Sequence, residues 1–146
     1  MYKNILICTD GSSVGDKAIE QGLEIAKLAK AKVIAIKVTE MWSAVDVAGG
    51  RQALARIEHF EKAASDAAAK VLKGVADAAQ AAGVECETLH VPDSNPAEGI
   101  LATALARGCD LIVMGSHGRR GLNRLLLGSQ AHNVLNQTKV SVLVCR

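Results

Sequence analysis

Aromatic side chains are nearly absent from this chain: Tyr2, Trp42 and Phe60 are the whole set. A platform that stacks single-stranded bases needs several exposed rings. The same shortage leaves no sandwich for the isoalloxazine ring of a flavin. Net charge is thin as well. A formal balance of +2 is too small for a surface that works by neutralising nucleic-acid phosphates, so no nucleic-acid partner is expected. No apolar run reaches the roughly 18 residues that a spanning helix requires. The start, Met-Tyr-Lys-Asn leading straight into a short apolar strand, lacks the order of a signal peptide. A soluble, cytoplasmic protein without membrane contact is the expectation. Cys8, Cys86, Cys109 and Cys145 form no Cys-x-x-Cys pair, which points to reduced, buried thiols. His59, His90 and His132 are scattered over different elements and predict no metal site.

What is present is a pattern of short apolar runs alternating with helical periodicity. The 146 residues, 49% of them apolar, suit one domain over 1–146 with a single core. Strands are predicted at Asn4 to Cys8, Lys32 to Val38, Val84 to Val91, Asp110 to Met114 and Lys139 to Cys145. The first helix follows Thr9-Asp10-Gly11-Ser12-Ser13, with Ser13 as its cap and Asp16 in its first turn. Gly22 on its inner face predicts close approach to a sheet. A long helix, about Arg51 to Ala82, has Leu54, Ile57, Ala64, Ala68, Val71, Val75 and Ala82 on its inner face, and Gly83 ends it. Asn95-Pro96-Ala97-Glu98 combines a cap, a proline and an acid at a helix start; Gly108 stops that helix. A last helix is predicted from about Ser129 to Asn136. Residues 40–50, which include Trp42, show no periodicity. The order β-α-β-α-β-α-β-α-β implies an α/β three-layer sandwich with a parallel sheet covered on both faces, a Rossmann-like arrangement. In such sheets ligands bind at the carboxyl ends of the strands, where the winding reverses. The turns after strands one and four, Thr9 to Ser13 and Gly115 to Arg120, are expected to meet there.

Chemistry concentrates between Gly115 and Ser129, which read Gly-Ser-His-Gly-Arg-Arg-Gly-Leu-Asn-Arg-Leu-Leu-Leu-Gly-Ser. Strand-to-helix connections are usually about 2–6 residues, so this one is long. Glycines that expose backbone amides, a hydroxyl at a helix start and nearby arginines suit a phosphate chain. It contains no Gly-Lys-Ser/Thr and no Gly-x-Gly-x-x-Gly, so it is neither a Walker A loop nor a dinucleotide fingerprint.

Gly115-x-x-Gly118, nine residues, then Gly128-Ser129 resembles the nucleotide-binding branch of the universal stress protein family. The Ile-Leu-Ile-Cys-Thr-Asp-Gly-Ser start, Asn95-Pro96-Ala97-Glu98, Asp110 to Gly118 and the closing Val-Ser-Val-Leu-Val extend the resemblance over the whole chain. It implies a sheet in order 3-2-1-4-5 and a homodimer joined through the last, C-terminal edge strand. It also implies an adenine nucleotide, ATP with AMP or ADP as alternatives, held between strands one and four. On that basis Asp10 binds the ribose, the Val38 backbone contacts adenine, and Gly115, Gly118, Gly128 and Ser129 receive the phosphates. Gln130 stands where many relatives have an apolar residue; it either adds a donor or faces solvent. Gly11 is expected to loosen the ribose turn.

Each of these residues also has a plainer reading. Asp10, which shares its turn with Thr9, a further binding candidate, can instead cap the following helix. Val38 and Met114 either wall an adenine ring or simply pack the core. Arg119, then His117, are the candidates to reach phosphate; Arg120 and Arg124 are more simply solvated. Val140, Val142 and Val144 on one face of an edge strand favour pairing with a second copy. From Gly115 to Cys145 there is no Asp or Glu. A general base beside a terminal phosphate is therefore missing, which favours a regulatory, stress-response binding protein over a slow ATPase or phosphotransferase. Any Mg²⁺ would be held by phosphates, water and the Ser129 hydroxyl.

Overall fold

The computed structural model describes residues 1–40, 50–93, 95–118 and 127–146. Strands β1 (Asn4–Cys8), β2 (Lys32–Glu40), β3 (Cys86–Asp93), β4 (Leu111–Gly115) and β5 (Ser141–Cys145) alternate with helices α1 (Ser13–Ala29), α2 (Gly50–Ala82), α3 (Pro96–Ala106) and α4 (Ser129–Gln137). All pairings are parallel, in order β3-β2-β1-β4-β5. This is the three-layer α/β architecture expected from the sequence.

Successive strand side chains point to opposite faces, and that alternation builds two cores. Ile5, Ile7, Val33, Ala35, Leu111 and Val113 pack beneath α1 and α2. Leu6, Ile34, Ile36, Ile112 and Met114 pack beneath α3 and α4. Gly22 does bring α1 against the sheet: a Cβ there would lie 2.6 Å from Ile7 Cδ1. Gly83 and Gly108, at φ 71° and 59°, end α2 and α3 in the left-handed conformation that glycine adopts without steric cost. α1 ends the same way on Lys30, at φ 54°.

Several boundaries differ from the sequence expectations, each for a local reason. Ser12, not Ser13, caps α1, its Oγ accepting from the Gly15 N–H at 3.1 Å. Val84 donates its N–H to Ala79 O and belongs to the end of α2, so β3 begins at Cys86. The Thr138 hydroxyl accepts from Val140 N–H, a local turn that delays β5 to Ser141. The inner face of α2 is Ala68, Leu72, Val75 and Ala79, whereas Leu54 is 46% exposed. A 33-residue helix is about 50 Å long and outruns strands of five to nine residues, so its first half extends past the sheet.

Candidate functional site

β1 and β4 are neighbours whose chains leave in opposite directions: β1 leads to α1 over one core, β4 to α4 over the other. That divergence opens a crevice at their carboxyl ends. A cavity of about 470 Å³ lies there, within the size range of small-molecule sites. Thr9, Asp10, Val38, Met114, Gly115, His117, Gly118, Gly128, Ser129 and Gln130 all line it. The sequence-predicted residues are thus brought together from β1, β2, β4 and α4. Arg119 falls outside the described residues, as do Arg120, Arg124 and Trp42. A larger, more open hollow of about 920 Å³ runs between α1 and α2. Its walls are largely aliphatic and hold none of the predicted binding residues, so size alone does not identify the site.

The turn after β1 is wired residue by residue. Thr9 N–H donates to Ile36 O at 3.0 Å, and Gly11 N–H donates to Thr9 Oγ1 at 3.1 Å. Asp10 Oδ1 accepts from Ser12 N–H at 2.9 Å and from Ser12 Oγ at 2.5 Å. Lys37, on β2, donates from Nζ to Asp10 O at 2.9 Å. Gly11 at φ 79° permits this tight turn, and its N–H is one of the donors that close it. Asp10 does not cap α1 itself; it holds Ser12, which does.

The opposite wall is backbone. Gly128 N–H donates to Ser116 O at 2.6 Å, and Ser116 N–H donates to Cys145 O at 2.7 Å. α4 begins on Gly128 with no side-chain cap. Helix geometry leaves its first N–H groups, from Ser129 to Ala131, without intrahelical partners and with the positive end of the helix dipole. His117 Nδ1 lies 3.0 Å from the Ser116 hydroxyl.

The three loop glycines differ in what requires them. At Gly115 a Cβ would meet Val14 Cγ1 at 2.9 Å; at Gly128 it would meet His117 Cα and Ser116 O, both at 3.0 Å. These two are demanded by the protein's own packing. At Gly118 the nearest atom among the described residues is Asp10 Oδ2, at 2.9 Å, so this glycine faces the carboxylate.

Gln130 takes a third role beyond the two expected. Its Oε1 accepts from Ala97 N–H at 3.1 Å, sharing that donor with Asn95 Oδ1, and so ties the starts of α3 and α4 together. Sequence reasoning also missed Lys37, Glu40, Pro96, Ile100 and Cys8, which line the crevice too. A lysine closing the apolar run Val33 to Ile36 was the available signal for Lys37. Burial pushes the Cys8 thiol far above its ordinary range, so it remains a protonated apolar wall rather than a nucleophile. Among the described residues no cluster of His, Cys, Asp and Glu could hold a metal, and no helix is long and apolar enough to cross a membrane.

The family model of the universal stress protein family matches residues 1–146. Universal stress protein MJ0531 of Methanocaldococcus jannaschii is 36% identical over 146 residues, covering 100% of this chain and 83% of its own length. Among solved structures, hypothetical protein MJ0577 superposes with a TM-score of 0.79 at 28% identity, covering 99% of this chain and 96% of its own. A universal stress protein in complex with cAMP shares the fold at a TM-score of 0.72 and 24% identity, covering 98% and 95% of the two chains.

Proposed function

The chain belongs to the universal stress protein family, and from that premise we propose that it binds an adenine nucleotide, ATP foremost, in the crevice between β1 and β4. One observation carries the reading: a cavity of about 470 Å³ joins a carboxylate turn, an apolar wall and an uncapped helix N-terminus. Asp10 accepts ribose hydroxyls, Val38 and Met114 flank the base, and the N–H groups at Gly118 and at the start of α4 receive the phosphates. A universal stress protein of the same fold is solved in complex with cAMP, which supports an adenine nucleotide as the class of ligand. Where Mg²⁺ accompanies the nucleotide, phosphates, water and the Ser129 hydroxyl would hold it, and it would supply charge neutralisation for the phosphates.

The role is regulatory. Among the described residues, the carboxylates on the crevice wall are Asp10 and Glu40, on the β1 and β2 side, and the stretch from Gly115 to Cys145 carries none. Among the described residues no general base stands beside the phosphate end. The same reading includes a homodimer through β5, an edge strand of the sheet whose Val142, Leu143 and Val144 are only half-buried. Edge pairing with a second copy removes that exposure; sedimentation equilibrium tests it, and a monomer at all concentrations refutes it.

Titration calorimetry with ATP, ADP and AMP tests the site, together with thermal denaturation. Nucleotide at a hundredfold excess over Kd adds about 2.7 kcal/mol, a rise in Tm of about 5–10 °C for a chain of this size. No heat and no shift with any of the three refutes the proposal.

A further inference from the structure

We propose, building on the adenine-nucleotide reading of the crevice, that Lys37 is a positioning residue that sets selectivity for the ribose diol. Lys37 sits on β2 between Ile36 and Val38, which pack toward α3 and α4. The strand alternation therefore turns Lys37 to the α1 side, where the Asp10 turn lies. Its ammonium donates to Asp10 O at 2.9 Å from a part-buried position and lines the crevice.

The consequence follows from the wiring of the turn. Asp10 Oδ1 is committed to the Ser12 N–H and hydroxyl, while Oδ2 faces Gly118 across the crevice. Discrimination of a hydroxyl by a carboxylate depends on where the carboxylate is held, because a charged hydrogen bond weakens steeply with misalignment. Among the described residues, two hydrogen bonds tie the turn to β2. One is Thr9 N–H to Ile36 O, which any residue could make. The other comes from the Lys37 side chain. Lys37 is thus the side chain through which β2 places the Asp10 carbonyl, and with it the carboxylate one side chain away. A methionine at 37 keeps the length and apolar stem and deletes the donor; an arginine keeps a donor and a positive charge.

The test is titration calorimetry of the full chain with ATP and with 2′-deoxy-ATP, for the unsubstituted protein, Lys37→Met, Lys37→Arg and Asp10→Asn. The unsubstituted protein is expected to prefer ATP by about tenfold, the discrimination of one charge-assisted hydrogen bond. Lys37→Met weakens ATP binding more than 2′-deoxy-ATP binding and brings the ratio to within about twofold, as does Asp10→Asn. Lys37→Arg restores part of the preference. Damage to the fold lowers both affinities together and leaves their ratio intact, so the ratio isolates positioning. Equal affinities in the unsubstituted protein, or a preference unchanged in Lys37→Met, overturn the role of Lys37 and leave the crevice reading standing. Absence of binding by the unsubstituted protein overturns both.

Discussion

Gly118→Ala separates ligand chemistry from stability. The added Cβ lies 2.9 Å from Asp10 Oδ2, closer than a methyl and an oxygen tolerate. Asp10 cannot swing aside freely, because Oδ1 is held at 2.9 Å by Ser12 N–H and at 2.5 Å by Ser12 Oγ. Either the carboxylate turns away from the ribose position or the glycine wall moves outward; both break the contact geometry. Losing one hydrogen bond to a charged group costs about 1.5–3 kcal/mol, a weakening of ATP binding of about ten- to a hundredfold. Stability is affected less. Gly118 is exposed, lies outside the helices and strands, and is not among the glycines with positive φ. Alanine there restricts the unfolded chain, a gain of about 0.4–1 kcal/mol that offsets part of the strain of displacing the Asp10 carboxylate. Calorimetry should therefore record weaker ATP binding, while thermal denaturation without ligand records a Tm that is little changed. Affinity within twofold of the unsubstituted protein, with Tm unchanged, refutes the placement of the ribose against Asp10 and of the phosphates beyond Gly118.

Gly128→Ala should behave in the opposite manner. Its Cβ would lie 3.0 Å from backbone atoms that cannot rotate away, so it should destabilise the ligand-free protein by about 1–3 kcal/mol, read as a lower Tm. Asn95→Ala and Gln130→Met should each cost about 1 kcal/mol or less, because Ala97 N–H keeps one acceptor in either variant. The double variant orphans that donor and should cost more than the sum, measurable by a urea-denaturation cycle. Burial raises the Cys109 thiol from its ordinary 9.0 to about 11. The unfolded chain then releases this proton first, so stability falls as pH rises from about 9 toward about 11. Cys109→Ala should flatten that decline in denaturation midpoints measured at pH 8, 9 and 10.

The fold was legible because its signals are local and mutually consistent. Branched residues crowd the apolar run Val33 to Ile36, Asn95-Pro96 announces α3, and Gly83 and Gly108 mark helix ends. The left-handed Lys30 carried no such mark, and the buried face of α2 could not be phased, because periodicity does not reveal where a helix outgrows its sheet. In the site, residues on the two turns were readable from their glycines, their carboxylate and the family pattern. Lys37 and Glu40 were not, nor was the contact that Gln130 makes. They act across elements, Lys37 onto a carbonyl 27 residues away and Gln130 onto an amide 33 residues away, and only topology sets such distances.

One short relay joins the rim of the crevice to the border of the sheet. Ser116 takes hold of Cys145 with its amide and of Gly128 with its carbonyl, so a single residue stands between the outermost strand and the threshold of α4. The border of the sheet and the mouth of the hollow are thereby tied by two main-chain hydrogen bonds, and neither can shift far without drawing on Ser116.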